Sequence, residues 1–238
     1  MNGGASYQLQ DFIPFTIEIY VRLLERLNET LWPLHLITLT LGMAVVWLAL
    51  TNRTRLACLF IAPIWTFVAV AFFMQHYAEL NWAGGYIGYV FFAQAMLLLV
   101  ISLSGKGIHT MPQQKPAVFL GGVDKVAVLI GIAIALAGLI ALPLLAPLTT
   151  GASWQQAEVF GIHADPTAIT TLGLLLIMLR GWVLWLSMII PACWLLISAL
   201  TLWALDASGA IALIAIQATG LIGLMAASAP KRKYFIKS

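Results

Sequence analysis

Charged residues are scarce in this chain, and their scarcity excludes a water-soluble protein. Only 9% of the 238 residues are Asp, Glu, Lys or Arg, whereas 62% are apolar. A soluble domain of this size would lack the polar side chains needed to cover its surface. Apolar runs of roughly 20 residues, which cross about 30 Å of hydrocarbon as helices, recur along the chain. We therefore predict an all-α, polytopic membrane helix bundle that forms one membrane domain over residues 1–238.

Several functional motifs are missing as well. The two cysteines, Cys58 and Cys193, lie in apolar runs without CxxC spacing, so we expect packing roles rather than a disulfide or a zinc site. The apolar segments contain no GxSxG, HExxH, Walker A or paired-carboxylate motif. An enzyme is therefore the third-ranked class, for want of a nucleophile with a base. The last apolar segment lacks the lysine that a retinal Schiff base needs, and the charge distribution implies no nucleic-acid partner.

Seven apolar segments are predicted to span the membrane. They cover Leu31–Thr51, Leu56–Tyr77, Trp82–Ser104, Val126–Leu148, Pro166–Leu179, Trp182–Leu205 and Ala207–Ala229. Together they form a seven-helix bundle over residues 31–229. The fourth and seventh segments are rich in Gly and Ala, which lets helix backbones approach closely in lipid. We expect the tightest packing at these two segments.

The residues before the first span predict a different kind of helix. Over 12–29, one helical stripe is apolar and another is charged; the two comprise Ile13, Ile17, Tyr20, Leu24 and Leu27, and Glu18, Arg22, Glu25 and Glu29. This pattern predicts an amphipathic interfacial helix that lies along the membrane surface. The charged stripe is either a solvated face with Glu18–Arg22 pairing or a surface that holds a partner.

The charges of the connecting segments indicate the orientation of the bundle. With seven spans, ten of the twelve Lys and Arg residues fall on one side with Asp124, which gives that side a net charge of +9. The other eight acids fall on the opposite side with Arg22 and Arg26, which gives −6. Lys and Arg are retained in the cytoplasm, so we predict an outer N terminus and a cytoplasmic C terminus with a basic tail at 230–238.

Imidazoles and carboxylates collect near the predicted outer face. A cluster of these groups could bind a metal ion or relay protons, because imidazole and carboxylate together suit zinc and other transition metals. Its members are His35, His76, His163, Glu79, Glu158 and Asp165. No ligand spacing supports a metal site, and each side chain could instead reach headgroups or water. His35, about one turn inside the first span, needs a partner, for which Glu79, Asp165 and a freed backbone carbonyl are the alternatives.

Two amides, Gln94 and Gln217, lie near the middle of the third and seventh segments. An unpaired amide is costly in the membrane interior. We expect both side chains to bond to other helices, and lining a polar path is the alternative.

The segment Phe160–Leu176, FGIHADPTAITTLGLLL, predicts a helix that starts in an unusual place. Asp165 and Pro166 suit the N-cap and the first helical position. The helix Pro166–Leu179 has 14 residues, too few to cross roughly 30 Å. Either residues 154–164 fold into the bundle, so that the positive helix end faces a buried cavity, or a tilted helix continues through Gly181 and Trp182.

Several motifs, in order along the chain, resemble those of a known family. They are NETLWP at Asn28–Pro33, then His76-Tyr77, Asn81, Phe91 and Gln94, then Phe160-Gly161, Pro166-Thr167 and TLGLL at Thr171–Leu175. Over most of its length the chain is similar to an uncharacterised bacterial integral-membrane family catalogued as a domain of unknown function, number sixty sixty-four. The resemblance implies a helical fold in the bacterial inner membrane and a periplasmic outer face, without an established activity. Asp165 stands where that family commonly has cysteine, and both residue types can be metal ligands.

From these observations we predict a pocket at the periplasmic mouth of the first, second, third and fifth spans that binds or passes a small solute or a metal ion. Its candidate residues are His35, His76, Glu79, Asn81, Gln94, His163, Asp165 and Thr167. The sequence specifies no cofactor and no particular metal. The alternative is a non-catalytic accessory subunit or assembly factor, whose Gly- and Ala-rich faces contact other membrane proteins or a second copy. The lipid bilayer is a partner in both cases.

Overall fold

The computed structural model describes residues 13–110, 122–144, 147, 153–207 and 209–229, and helices dominate these residues. The predicted basic tail and the end of the predicted fourth span lie outside the described residues. We number the helices in chain order: α1 (Ile17–Leu31), α2 (Leu34–Leu50), α3 (Thr54–Leu80), α4 (Gly84–Ser104), α5 (Gly122–Leu136, continued as a π-helical turn over Ala137–Ala141), α6 (Ala164–Met178), α7 (Trp182–Ala204) and α8 (Ala210–Ser228). The all-α prediction is confirmed for this part of the chain.

Five described helices are long and apolar enough to cross a membrane. They are Thr54–Leu80, Gly84–Ser104, Asp124–Leu144, Trp182–Ala204 and Ala210–Ser228, which correspond to the second, third, fourth, sixth and seventh predicted spans. A sixth span is possible by length if α1 and α2 together count as one crossing. The predicted count of seven is therefore not confirmed, because the other two segments are short.

The first two helices meet at a right angle. Helix α2 has 17 residues, and α1 joins it through a bend of 90° at Trp32-Pro33. One face of α1 is buried, at Leu23, Leu24 and Leu27, whereas its charged residues Glu18, Arg22 and Glu29 are exposed. The amphipathic pattern is thus confirmed, and the bend gives α1 the direction that a helix lying along a membrane surface would have.

Helix α6 is a short helix enclosed by the rest of the protein. All of its 15 residues are buried. It begins at Ala164 with His163 as N-cap, so the predicted N-cap role of Asp165 is wrong, and Asp165 lies in the first turn instead. At the other end, Gly181 has a φ of 69°, which ends the helical path before α7. The chain therefore does not continue through Gly181 and Trp182 as one tilted helix, and that alternative is wrong.

Helices α5 and α6 approach each other through glycines. A Cβ atom added to Gly131 would lie 2.7 Å from the carbonyl oxygen of Gly173, and one added to Gly138 would lie 2.8 Å from the carbonyl oxygen of Pro166. In α8, the glycines Gly220 and Gly223 meet side chains of α6 rather than its backbone. The closest of these contacts is thus at the predicted fourth segment, where small residues let two backbones touch.

Helix α3 widens where it packs on the buried connection before α6. Val68–Tyr77 is wound as a π-helix, which places Phe72, Phe73 and Tyr77 on the buried side. Such widened turns are frequent at functional sites. Of the two cysteines, Cys58 is buried on α3 as predicted, whereas Cys193 is exposed on α7, so its predicted packing role is wrong.

Candidate functional site

Buried and half-buried polar side chains gather where α1, the connection before α6 (residues 153–163) and the first turn of α6 meet, beside α2 and α7. We call this group the polar centre, and it comprises Tyr20, Asn28, His35, Glu158, His163, Asp165, Thr167, Trp194 and Ser198. The connection folds inward because hydrogen bonds join its first half to α1 and its second half to the first turn of α6. A short 3-10 turn, Trp154–Gln156, starts it, and residues 159–163 are buried. The prediction that residues 154–164 fold into the bundle is thus confirmed for residues 157–164, whereas Trp154 and Gln155 are exposed.

Asp165 is a buried carboxylate held by two neutral donors from α7. Trp194 Nε1 donates to Oδ1 at 2.7 Å, and Ser198 Oγ donates to Oδ2 at 2.6 Å. Only 3% of Asp165 is exposed, and it has no ion-pair partner among the described residues. The Trp194 ring is itself fixed by an edge contact with Phe73, whose centroid lies 4.8 Å away. Only hydrogen bonds from neutral groups therefore stabilise a negative charge on Asp165.

Glu158 is a second acid of the polar centre. It lies in the connection before α6 and accepts a hydrogen bond of 2.7 Å from the hydroxyl of Tyr20 on α1. Burial, and next the negative charge of Asp165, raise the pKa of Glu158 to about 8, although the Tyr20 hydrogen bond opposes the shift. The two carboxyl groups therefore influence each other, and Glu158 can gain and lose a proton near neutral pH.

Asn28 joins three separate parts of the chain. Its Nδ2 donates to the carbonyl oxygens of Gln155 at 2.6 Å and Ala157 at 2.9 Å, which holds the connection against α1. Its Oδ1 lies 2.7 Å from Nε2 of His35 on α2. Because the Asn28 oxygen can only accept, Nε2 of His35 carries the hydrogen. The predicted partners of His35, Glu79, Asp165 and a freed carbonyl, are therefore wrong.

His163 is completely buried beside His35. The backbone N–H of Val159 donates to its Nδ1 at 2.9 Å, so its hydrogen is on Nε2. Burial, and next the neighbouring His35, lower the pKa of His163 to about 3, so the ring is neutral. Neither Nε2 of His163 nor Nδ1 of His35 has a hydrogen-bond partner among the described residues. The two rings thus offer one unused donor and one unused acceptor.

Thr167 closes the connection onto the start of α6. Its Oγ1 donates to the carbonyl oxygen of His163 at 2.7 Å and accepts from the N–H of Gly161 at 2.8 Å. Gly161 has a φ of 79°, a conformation that favours glycine. Thr167 is therefore a positioning residue whose hydroxyl is fully used within the chain.

A small cavity adjoins the polar centre. Its volume is about 20 Å³, enough for about one water molecule. Its walls come from α1, α3 and α7 and include Phe15, Tyr20, Tyr77, Trp194, Ser198, Thr201, Leu202 and Leu205. The donors of both carboxyl groups, Tyr20 and Ser198, line this cavity. The cavity can hold a water molecule beside the donors of the two acids, and a larger solute does not fit.

Three predicted site residues lie outside the polar centre, at the end of α3. His76 is half-buried, and its Nδ1 lies 2.6 Å from the carbonyl oxygen of Ala71. Glu79 is exposed. Asn81 accepts from the N–H of Ala83 at 3.0 Å and shapes the turn into α4. The described residues contain no group of three or more His, Cys, Asp or Glu side chains that could hold a metal ion.

The two mid-span amides, Gln94 and Gln217, each have a buried side-chain atom without a hydrogen-bond partner among the described residues. Gln94 is buried on α4, and its Nε2 donates to the carbonyl oxygen of Ser187 on α7 at 3.2 Å, as predicted for an interhelical bond. Its Oε1 has no partner among the described residues, and the same holds for Nε2 of Gln217. Gln94 therefore links α4 to α7 and does not reach the polar centre.

The sequence signals missed about half of the polar centre. Asn28 stood only in a family motif and Tyr20 only in an apolar stripe. Glu158 was placed among the carboxylates of the outer face but not among the candidate binding residues. Trp194 and Ser198 carry no local signal, because their role depends on the packing of α7 against α6. One signal was available for Glu158, a lone acid between two apolar segments and a short distance from Asp165.

Comparison with known proteins identifies a family and nothing closer. A family model described as "Family of unknown function (DUF6064)" matches residues 17–233. No curated protein and no solved structure matches the chain.

Proposed function

We propose that this chain, which belongs to the DUF6064 family of unknown function, is a membrane protein that binds and releases a proton at the acid pair Glu158 and Asp165. We expected a small solute or a metal ion, but the cavity beside the polar centre holds about one water molecule and no larger solute. A proton is therefore the ligand that we propose. The observation that carries the proposal is the pair itself, the buried Asp165 and the half-buried Glu158, two carboxyl groups that repel each other and have no basic partner among the described residues.

The energetics favour proton binding at such a pair. A buried carboxylate without a basic partner is costly, and a proton removes that cost by neutralising one charge. Two neighbouring carboxylates repel each other, so one proton shared by the pair is the preferred state. Asp165 has two good donors and lies in the first turn of α6, where the helix dipole stabilises negative charge. Burial also raises the pKa of Asp165, but the hydrogen bonds from Ser198 and Trp194 oppose that shift. Glu158 has only one donor, so we assign the proton to Glu158.

The surroundings provide a path for that proton. Tyr20 donates to Glu158 and Ser198 donates to Asp165, and both residues line the 20 Å³ cavity. Hydroxyl groups can both accept and donate, so Tyr20, one water molecule and Ser198 can pass a proton between the acids. The route stays short because α1 and α7 flank the same cavity.

Replacing Glu158 with glutamine tests the proposal. We expect the wild-type protein to melt at progressively lower temperature as pH rises. The reason is that the folded state binds a proton between the ordinary glutamate pKa of 4.5 and the raised value of about 8, whereas the unfolded state has released it. This stabilising contribution is complete below the lower value and is lost as pH rises through the upper one. Glu158→Gln accepts the Tyr20 hydrogen bond but does not titrate, so this pH dependence should disappear.

The same variants can be examined by infrared spectroscopy during a pH titration of the purified full-length protein. A protonated carboxyl band should vanish near pH 8 in the wild type and be missing in Glu158→Gln. Glu79→Gln, which removes an exposed acid, is the matched control and should retain the band. A wild-type protein without any carboxyl group titrating above about pH 6 would disprove the proposal.

The orientation predicted from the loop charges is part of the proposal, since it places the polar centre at the periplasmic side of the bacterial inner membrane. Cysteine introduced at Glu79 should then react with an impermeant maleimide from outside intact spheroplasts, and cysteine at Lys106 only after lysis. Both positions are exposed. Labelling of both from the same compartment would contradict this orientation.

A second candidate, a non-catalytic accessory subunit or assembly factor, is favoured by the small size of the cavity. A protein that binds a metabolite needs a pocket of several hundred Å³, whereas the polar centre adjoins about 20 Å³. Native purification in mild detergent distinguishes the two. Stoichiometric partner chains together with an absent Glu158 titration would favour the accessory role.

A further inference from the structure

An open groove lies at the opposite end of the bundle from the polar centre. Its volume is about 390 Å³, and its walls are Asn52, Arg53, Thr54, Arg55, Leu56 and Ile108. Helix α3 begins in this groove and reaches the cavity beside the polar centre at Tyr77, 23 residues later, so the two sites are about 35 Å apart at roughly 1.5 Å per residue. The groove is therefore independent of the proposed proton site.

Two arginines give the groove its charge. Arg53 and Arg55 are both exposed, and neither has an ion-pair partner among the described residues. The guanidinium of Arg53 lies over the Trp47 ring at 5.7 Å from its centroid, which fixes it beside the groove. Arg55 extends over Gly105, where an added Cβ would collide with its guanidinium. Both positive groups are thus held at the rim, with no negative partner in the part of the chain that the structure describes.

The floor of the groove contains donors that are also unused. Arg53 is the N-cap of α3 and provides no side-chain cap, so the first N–H groups of a 27-residue helix point out of its end. Thr54, which lines the groove, is 2% exposed, and its Oγ1 has no hydrogen-bond partner among the described residues. A buried hydroxyl without a partner costs free energy, which a ligand oxygen at this point would recover.

We propose that this groove binds an anionic phosphate group, with Arg53 and Arg55 as charge partners and Thr54 and the first turn of α3 as hydrogen-bond donors. Helix N-termini and arginine pairs are recurrent phosphate ligands. The volume exceeds that of one water molecule, about 30 Å³, more than tenfold, so a complete headgroup fits. Free phosphate and the phosphodiester of an anionic lipid share this chemistry, and the experiment below separates them.

The test uses the purified full-length protein, delipidated in an uncharged detergent. One arm titrates inorganic phosphate, and the other titrates phosphatidylglycerol against phosphatidylcholine, with bound molecules counted by native mass spectrometry. Thr54→Val and the double variant Arg53→Gln/Arg55→Gln remove the ligands. Thr66→Val, whose hydroxyl bonds to Ala62 within α3, and Lys106→Gln, an exposed base outside the groove, are the matched controls.

We expect Thr54→Val to weaken binding about fivefold and the double arginine variant to weaken it about tenfold or more, while both controls bind as the wild type does. If these variants lose binding of phosphatidylglycerol but not of inorganic phosphate, the ligand is a lipid headgroup. If they also lose binding of inorganic phosphate, the groove binds the free anion. The proposal is overturned if neither probe binds the wild type, or if both probes bind Thr54→Val and the double variant as tightly as the wild type. Thr54→Val also keeps the test independent of folding, because removing an unpartnered buried hydroxyl should not lower the melting temperature.

Discussion

Replacing Gly173 with alanine is expected to prevent stable folding of the bundle. A Cβ at this position would overlap the backbone nitrogen of Ala135 and the carbonyl oxygen of Gly131. These are backbone atoms of α5, so no side-chain rotation can relieve the overlap, and the two helices must separate. We expect a destabilisation of about 3 kcal/mol or more. The measurement is the Tm of the detergent-purified protein, or its recovery as a monodisperse species when the variant does not survive purification.

The matched control for this substitution is Gly85→Ala in the first turn of α4. A Cβ at Gly85 would meet nothing within 4 Å, and alanine is a better helix former than glycine. The Tm of this variant should equal or exceed that of the wild type. If Gly173→Ala and Gly85→Ala melted alike, the backbone contact between α5 and α6 would be wrong.

The predicted spans that match the structure are those with an uninterrupted apolar length. Helix α4 was predicted over Trp82–Ser104 and is observed over Gly84–Ser104. Helix α7 was predicted over Trp182–Leu205 and is observed over Trp182–Ala204. Apolar length is set by the bilayer, so it can be read from composition without knowing any contact. Helix ends were displaced by a few residues, because capping depends on local geometry.

The environment of the short helix α6 could not be predicted from apolar length. Its residues are as apolar as those of a span, but it is surrounded by protein on all sides. Hydropathy does not distinguish burial in lipid from burial in protein. The 14-residue length indicated the difference, and the sequence left two alternatives. The choice between them depended on Gly181, whose positive φ becomes visible only in the folded chain.

The sequence predicted several residues of the polar centre correctly, but it did not predict their hydrogen-bond partners. His35, His163, Asp165 and Thr167 do lie together, whereas His76 and Glu79 remain at the edge of α3. A side chain near a span end has no fixed direction until the connecting segment is folded. The partner of Asp165, Trp194, is 29 residues away in the chain and on another helix, so its choice is tertiary.

Replacing Asn28 with aspartate is expected to release the connection before α6. The Nδ2 group that now donates to Gln155 and Ala157 would become an oxygen facing two carbonyl oxygens. Two hydrogen bonds are lost, and like partial charges are placed in contact, at a cost of about 3 kcal/mol or more. Once released, Glu158 is exposed to water, so we expect its raised pKa to return toward the ordinary value. The Tm and the carboxyl titration should therefore change together in this one variant.

Asn81→Asp is the control that separates this effect from simple addition of charge. At Asn81 the oxygen accepts a hydrogen bond from the N–H of Ala83, and aspartate supplies the same acceptor. We therefore expect the Tm to change by no more than about 1 °C, which corresponds to a few tenths of a kcal/mol, and the Glu158 titration to be preserved. A titration that stayed near pH 8 in Asn28→Asp would show that Asn28 does not hold the connection in place. Because Asn28 also bonds to His35 on α2, such a result would reduce its role to joining the first two helices across their right-angle bend.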